Sequence, residues 1–118
     1  MRIGEFTKTM KTTRDTVRHY EDLKLLTPEW QGNRKTYREQ DVKDFKAIAE
    51  MKQLGLTLKD IELIFQLKRT YGCGSPSLVQ KVLGQFSVHL DSVKAEEKQI
   101  RRRRRQLEAV IKELEAIE

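Results

Sequence analysis

From Val79 to Leu114 an apolar side chain recurs every seven residues without exception, at Val79, Phe86, Val93, Ile100, Leu107 and Leu114. The set four residues further on, Leu83, Leu90, Glu97, Arg104, Ile111 and Glu118, is apolar apart from its three charged members. A strict seven-residue period keeps one narrow stripe of a slightly underwound helix against a partner, which is the signature of a coiled coil. Ser75 followed by Pro76 reads as the N-cap and first position of one long helix, interrupted only by the isolated Gly84. The residues before it are too few to cover a seam of nearly six heptads, so a second copy of the chain is its simplest occupant. In an antiparallel homodimer the two sets face each other. A register centred near Lys98–Gln99 sets Leu83 against the partner's Leu114, Leu90 against the partner's Leu107 and Ile111 against the partner's Phe86. Glu97 then lies near the partner's Arg101, with Arg104 about a turn away, so opposite charges can pair across the centre.

Composition agrees with a small domain plus an appendage. The chain has 118 residues, of which 36% are charged and 37% hydrophobic, too little apolar surface for a large self-contained core. There is no apolar run of about 18 residues, and residues 1–12 mix polar and apolar side chains, so neither a membrane span nor a signal peptide is expected. A cytoplasmic location follows as the expectation. A single cysteine cannot form an intramolecular disulfide.

The net charge of +6 is unevenly spread. Residues 1–38 carry nine Lys/Arg against five Asp/Glu, residues 39–69 balance six against six, and residues 70–118 carry nine against seven. Excess cation on one segment attracts phosphate through counterion release. Charge by itself fits RNA or anionic lipid as well as DNA.

Along the chain, Ile3 to about Thr9 reads as a first helix and Met10-Lys11-Thr12 as a turn. Thr13 reads as the N-cap of a second helix reaching about Leu23, with Asp15 in its first turn. Val17 and Tyr20 share the face that suits a core, leaving Arg14, Arg18 and His19 to point outward. Extended pieces at about 29–31 and 35–37 flank the turn dipeptide Gly32-Asn33 and make a basic hairpin. A third helix over about 39–54 carries Val42, Phe45, Ile48, Ala49 and Met51 at helical spacing and stops at Gly55. Thr57, with Asp60 three residues on, starts a fourth helix holding Leu58, Ile61, Ile64, Phe65 and Leu67, which Tyr71-Gly72-Cys73-Gly74 ends.

A helix bearing arginines that runs straight into a basic hairpin is the apparatus of a winged helix-turn-helix. The chain resembles the MerR family of bacterial transcription regulators through six fragments in order: Ile3-Gly4-Glu5-Phe6; Thr13; Arg18-His19-Tyr20-Glu21; Leu25-Leu26-x-Pro28; Asn33-Arg34-Lys35-x-Tyr37; and Leu54-Gly55-Leu56-Thr57-Leu58-x-x-Ile61. The resemblance implies a mainly α fold: a winged helix-turn-helix over 1–70 with its wing at about 29–37, a hinge at 71–76, and a dimerisation helix over 77–118 forming the antiparallel coiled coil. Lys11 and Lys24 stand where the family commonly has glycine, so either these lysines take a positive φ or the turns differ. Trp30 replaces an arginine often found there and is read as bracing the hairpin rather than touching phosphate.

For DNA binding the resemblance points to Thr13, Arg14, Arg18, His19, Tyr20, Arg34, Lys35 and Tyr37. Arg14 is the candidate for base-edge readout, because a guanidinium can bridge guanine O6 and N7. Arg34 and Lys35 are candidate phosphate clamps, which set register without reading sequence. His19 replaces the family's usual tyrosine and either bonds phosphate or is simply exposed. Tyr37 packs under the wing with its hydroxyl within reach of a phosphate. Arg101 to Arg105 wrap around the helix and are read as solvation of the coiled coil, with a second phosphate contact as the alternative. Cys73 is open to three readings: a structural cysteine, a thiol sensor whose pKa the following helix N-terminus lowers, or a metal ligand. With one thiol and two distant histidines, no soft-metal site is expected, nor any cofactor.

No glycine-rich phosphate loop, nucleophile with a matched base or paired carboxylates point to an enzyme. The resemblance thus implies a homodimer on a near-palindromic promoter operator, distorting the DNA so that RNA polymerase can engage both promoter elements. Two alternatives remain: a protein-interaction adaptor that modulates co-chaperones, and an architectural DNA-binding factor in recombination. The operator, the effector, and the choice between activation and repression are not legible.

Overall fold

The computed structural model describes residues 1–118 and divides into two compact units, Met1–Cys73 and Gly74–Glu118. The first holds α1 (Ile3–Met10), α2 (Arg14–Asp22), β1 (Glu29–Gln31), β2 (Arg34–Thr36), α3 (Glu39–Gln53) and α4 (Leu58–Tyr71). The second is the single helix α5 (Pro76–Glu115). No helix is long and apolar enough to cross a membrane.

Local chemistry sets most of these boundaries. The Thr13 hydroxyl accepts from the Thr16 amide at 3.2 Å and caps α2. Thr57 and Asp60 form a capping box at α4, the Thr57 hydroxyl accepting from Asp60 N at 3.1 Å and the Asp60 carboxylate from Thr57 N at 3.0 Å. The Ser75 hydroxyl accepts from Leu78 N at 3.1 Å, with Pro76 at the first helical position of α5. Lys11 and Lys24 both adopt left-handed backbone, at φ 55° and 61°. Of the two expectations for these lysines, the positive φ is the one found, and each keeps its turn at the cost of a crowded Cβ.

β1 and β2 pair antiparallel, with Glu29 opposite Thr36, Trp30 opposite Lys35 and Gln31 opposite Arg34. The second strand therefore begins one residue earlier than its alternation suggests, and Gly32, at φ 63°, makes the two-residue turn. The hairpin's end is tied down by Tyr37 N donating to Met1 O at 2.7 Å, while Met1 N donates to Tyr37 O at 2.9 Å.

The core of the first unit closes around Phe6, Val17, Tyr20, Leu25, Leu26, Tyr37, Phe45, Ile48, Leu56 and Ile61. Phe6 stacks on Tyr37 with centroids 4.5 Å apart and meets Phe45 edge-on at 5.9 Å. Ala49, expected on the core face of α3, is exposed, because Phe45, Ile48 and Met51 fill that face without it. Asp41 is wholly buried. Its carboxylate accepts from Arg38 N at 2.8 Å and Thr27 N at 3.3 Å, so the start of α3 and the loop before the wing share one anchor.

Candidate nucleic-acid interface

The Thr13 cap fixes where α2 begins, and helical periodicity then sends Val17 and Tyr20 inward while Arg14, Arg18 and His19 stay exposed. Arg14 and Arg18 lie one turn apart on that outer face. The Arg14 guanidinium lies close to α1 at Gly4, where a Cβ would sit 3.6 Å from Nη2. Neither Arg14, Arg18 nor Arg34 forms an ion pair with a carboxylate of the chain.

The wing is joined to α2 by Glu21, whose side chain is 10% exposed. One carboxylate oxygen accepts from Lys35 Nζ at 2.7 Å and the other from the Tyr37 hydroxyl at 2.9 Å. The two bonds make one clamp from the last turn of α2 to the strand and exit of the wing. Burial, followed by the hydrogen bond and negative charge of Glu21, raises the Tyr37 hydroxyl well above the ordinary tyrosine range, so it stays protonated as the donor. Between α2 and the wing runs a groove of about 360 Å³ lined by Arg2, Ile3, Arg18, Trp30, Arg34 and the clamp.

Three of the residues expected at the DNA are engaged within the chain. Tyr20 is 5% exposed and its ring packs in the core facing Phe45, with Lys52 reaching its hydroxyl at 3.4 Å. Tyr37 is 1% exposed, and its hydroxyl donates to Glu21. Lys35 is paired with Glu21, and its ammonium sits 5.2 Å from the centre of the Trp30 ring. Thr13, Arg14, Arg18, His19 and Arg34 remain on the surface. Glu21 lies in the Arg18-His19-Tyr20-Glu21 motif, and a carboxylate one residue before the end of α2, upstream of the basic strand β2, is the sequence signal for this clamp.

On α5, Val79, Leu83, Leu90, Ile100, Leu107, Ile111 and Leu114 each keep half or more of their surface exposed, Val93 somewhat less, and Phe86 is half-buried. Glu97 pairs with Arg101 at 2.6 Å and Arg104 with Glu108 at 2.8 Å, so both charged seam residues find a partner on their own helix. Cys73 is an exposed free thiol, and no cluster of three His, Cys, Asp or Glu side chains is placed to hold a metal ion.

The family model of the MerR HTH family regulatory protein matches residues 1–68. The chain belongs to the MerR family. It is 33% identical over 69 residues to the HTH-type transcriptional regulator ZntR of Escherichia coli K12, a match covering 57% of this chain and 49% of ZntR. It is 28% identical over 99 residues to the multidrug-efflux transporter 2 regulator of Bacillus subtilis, covering 82% of this chain and 34% of that protein. The matched MerR region thus spans about half the length of ZntR and a third of the Bacillus regulator. Among solved structures, the transcription regulator PbrR691 from Ralstonia metallidurans CH34 in complex with lead(II) superposes with a TM-score of 0.73 at 28% identity, over 91% of this chain and 82% of that one. The helical MerR fold with its two-stranded wing and long C-terminal helix is therefore shared.

Proposed function

We propose that the protein acts as a homodimer on a near-palindromic promoter operator, with 1–70 as the DNA reader, 71–76 as hinge and 77–118 as an antiparallel dimerisation helix. The observation that carries this reading is the trio of unpartnered cations, Arg14 and Arg18 on α2 and Arg34 on the wing, presented by two elements that Glu21 locks together. Arg14 reads a base edge, and Arg18 and Arg34 hold phosphates, with Thr13 and His19 beside them. The exposed heptad stripe of α5 supplies the second half of the dimer, and two-fold symmetry of the protein demands matching half-sites. Distortion of a promoter spacer to bring both elements to RNA polymerase is the mechanism that family membership favours.

Genome-wide selection of DNA fragments by the purified protein at near-physiological salt tests this. A palindrome inside a long promoter spacer is the expected outcome. A folded, dimeric protein that enriches no sequence overturns it in favour of a protein-interaction adaptor.

A further inference from the structure

Trp30 is the central residue of β1 and is 62% exposed, with a charged side chain beside its ring. Its cross-strand neighbour Lys35 holds its ammonium 5.2 Å from the ring centroid, and Glu21 of α2 holds that ammonium at 2.7 Å. A chain of contacts thus runs from α2 through Glu21 and Lys35 to a large, exposed apolar ring. The ring lines the groove that Arg18 and Arg34 also line, with Ile3 as a second apolar wall and Arg2 as a further cation. An apolar wall with a cationic rim suits a ligand that alternates charge and hydrocarbon along its length. A phosphodiester strand does this: each phosphate finds a guanidinium, and each deoxyribose offers a C–H face to a ring.

From this we infer that Trp30 is a DNA-contact residue, packing against deoxyribose of the strand whose phosphates lie on Arg18 and Arg34, and that Glu21 and Lys35 act as positioning residues for its ring. The inference rests on the DNA reading above. It divides the wing's work by chemistry. Arg34 supplies the counterion-dependent part of affinity, Trp30 supplies a salt-independent part, and Lys35, already neutralised, releases no counterion. The contact is to sugar, so it is indifferent to sequence.

Trp30 is the sole tryptophan, so intrinsic emission reports on this one ring. The protein is titrated with a duplex carrying the selected operator and with a scrambled duplex of equal length. Emission is expected to change with both, at the same occupancy as binding followed by anisotropy. W30A should weaken both complexes by about tenfold for each ring, about a hundredfold for the dimer, with an unchanged dependence on salt, the size expected when two apolar ring contacts are lost. W30F should recover most of the loss. R34A, which removes one phosphate contact from each half of the dimer, should lower the slope of log affinity against log salt by about two. Circular dichroism melts show whether W30A folds; if it does not, the emission and W30F arms decide. A wild-type protein that binds duplex with no change in emission, or a folded W30A that binds as wild type, overturns the inference. A W30A defect that comes with a reduced salt slope also overturns it, because the ring would then act only through its neighbouring cations. Failure of the wild type to bind any duplex defeats the DNA reading itself, a distinguishable result.

Discussion

Between Met1 and Cys73, Phe6, Val17, Leu25, Leu26, Ile48 and Ile61 retain at most 2% of their surface in solvent, whereas on α5 Leu83, Ile100, Leu107 and Leu114 retain 60% or more. The side chains are of one kind; what differs is the company the backbone provides. Four short helices and a hairpin turn back on one another, so apolar faces meet within the chain. A straight 40-residue helix, about 60 Å long, cannot fold back on its own stripe. Leaving such a stripe in water forgoes roughly 2 kcal/mol for each leucine that could be buried, a strong incentive for association. One unit therefore carries its own stabilisation, and the other leaves an apolar stripe in water.

The most severe way to break this comparison is to place charge in the seam. Leu90→Asp with Leu107→Asp puts four carboxylates into a symmetric antiparallel dimer and is expected to weaken association by about a thousandfold or more, seen as monomer in sedimentation equilibrium. A variant that stays dimeric would show that the stripe is not the interface.

Within the self-contained unit, Phe6→Ala removes a ring in contact with Tyr37 and Phe45 and should destabilise by about 3–5 kcal/mol in urea unfolding. The same truncation of exposed Val79 in isolated monomer should cost little. Equal effects would erase the distinction between the units.

Tyr37 sharpens the comparison through pH. Its hydroxyl titrates higher in the fold than in the unfolded chain, so the associated stability is complete below about pH 10 and is lost as pH climbs through the raised value. Thermal melts of the wild type should fall steeply above about pH 10, and Tyr37→Phe should flatten that fall while losing about 1 kcal/mol at neutral pH. An alkaline profile identical in the two proteins would remove the Glu21 clamp from the account.

Smaller effects are expected at the left-handed turns. Lys11→Gly and Lys24→Gly relieve Cβ crowding at φ 55° and 61°, partly offset by the freer unfolded chain, for a net gain of about 0.5 kcal/mol each by denaturant titration. Smallest of all, Glu97→Ala or Arg104→Ala should shift stability by less than about 0.5 kcal/mol if each serves only its exposed pair within α5. A much larger loss, confined to the dimer, would place those charges across the seam.

Much of this architecture was written in short-range signals. Thr13, Thr57 and Ser75 each cap a helix with a bond to the residue three positions on, Gly32-Asn33 turns the hairpin, and the heptad marks α5. These features depend on neighbours within a turn or on a period, so a reader of the chain can find them. The outward placement of Arg14, Arg18 and His19 belongs to the same class, because helix periodicity alone assigns it.

The functional surface obeyed a different logic. Lys35 and Tyr37 look like phosphate ligands in the sequence, but Glu21 claims both from 14 and 16 residues away. Asp41 anchors Thr27 across 14 residues, and the Tyr20 hydroxyl meets Lys52 across 32. The sequence by itself determined the helices, their caps, the wing and the unsatisfied stripe of α5, since those follow from local bonding and spacing. Which cations stay free for a partner was decided only by tertiary structure, because a charge is available or spent according to the side chains that folding brings within about 3 Å of it.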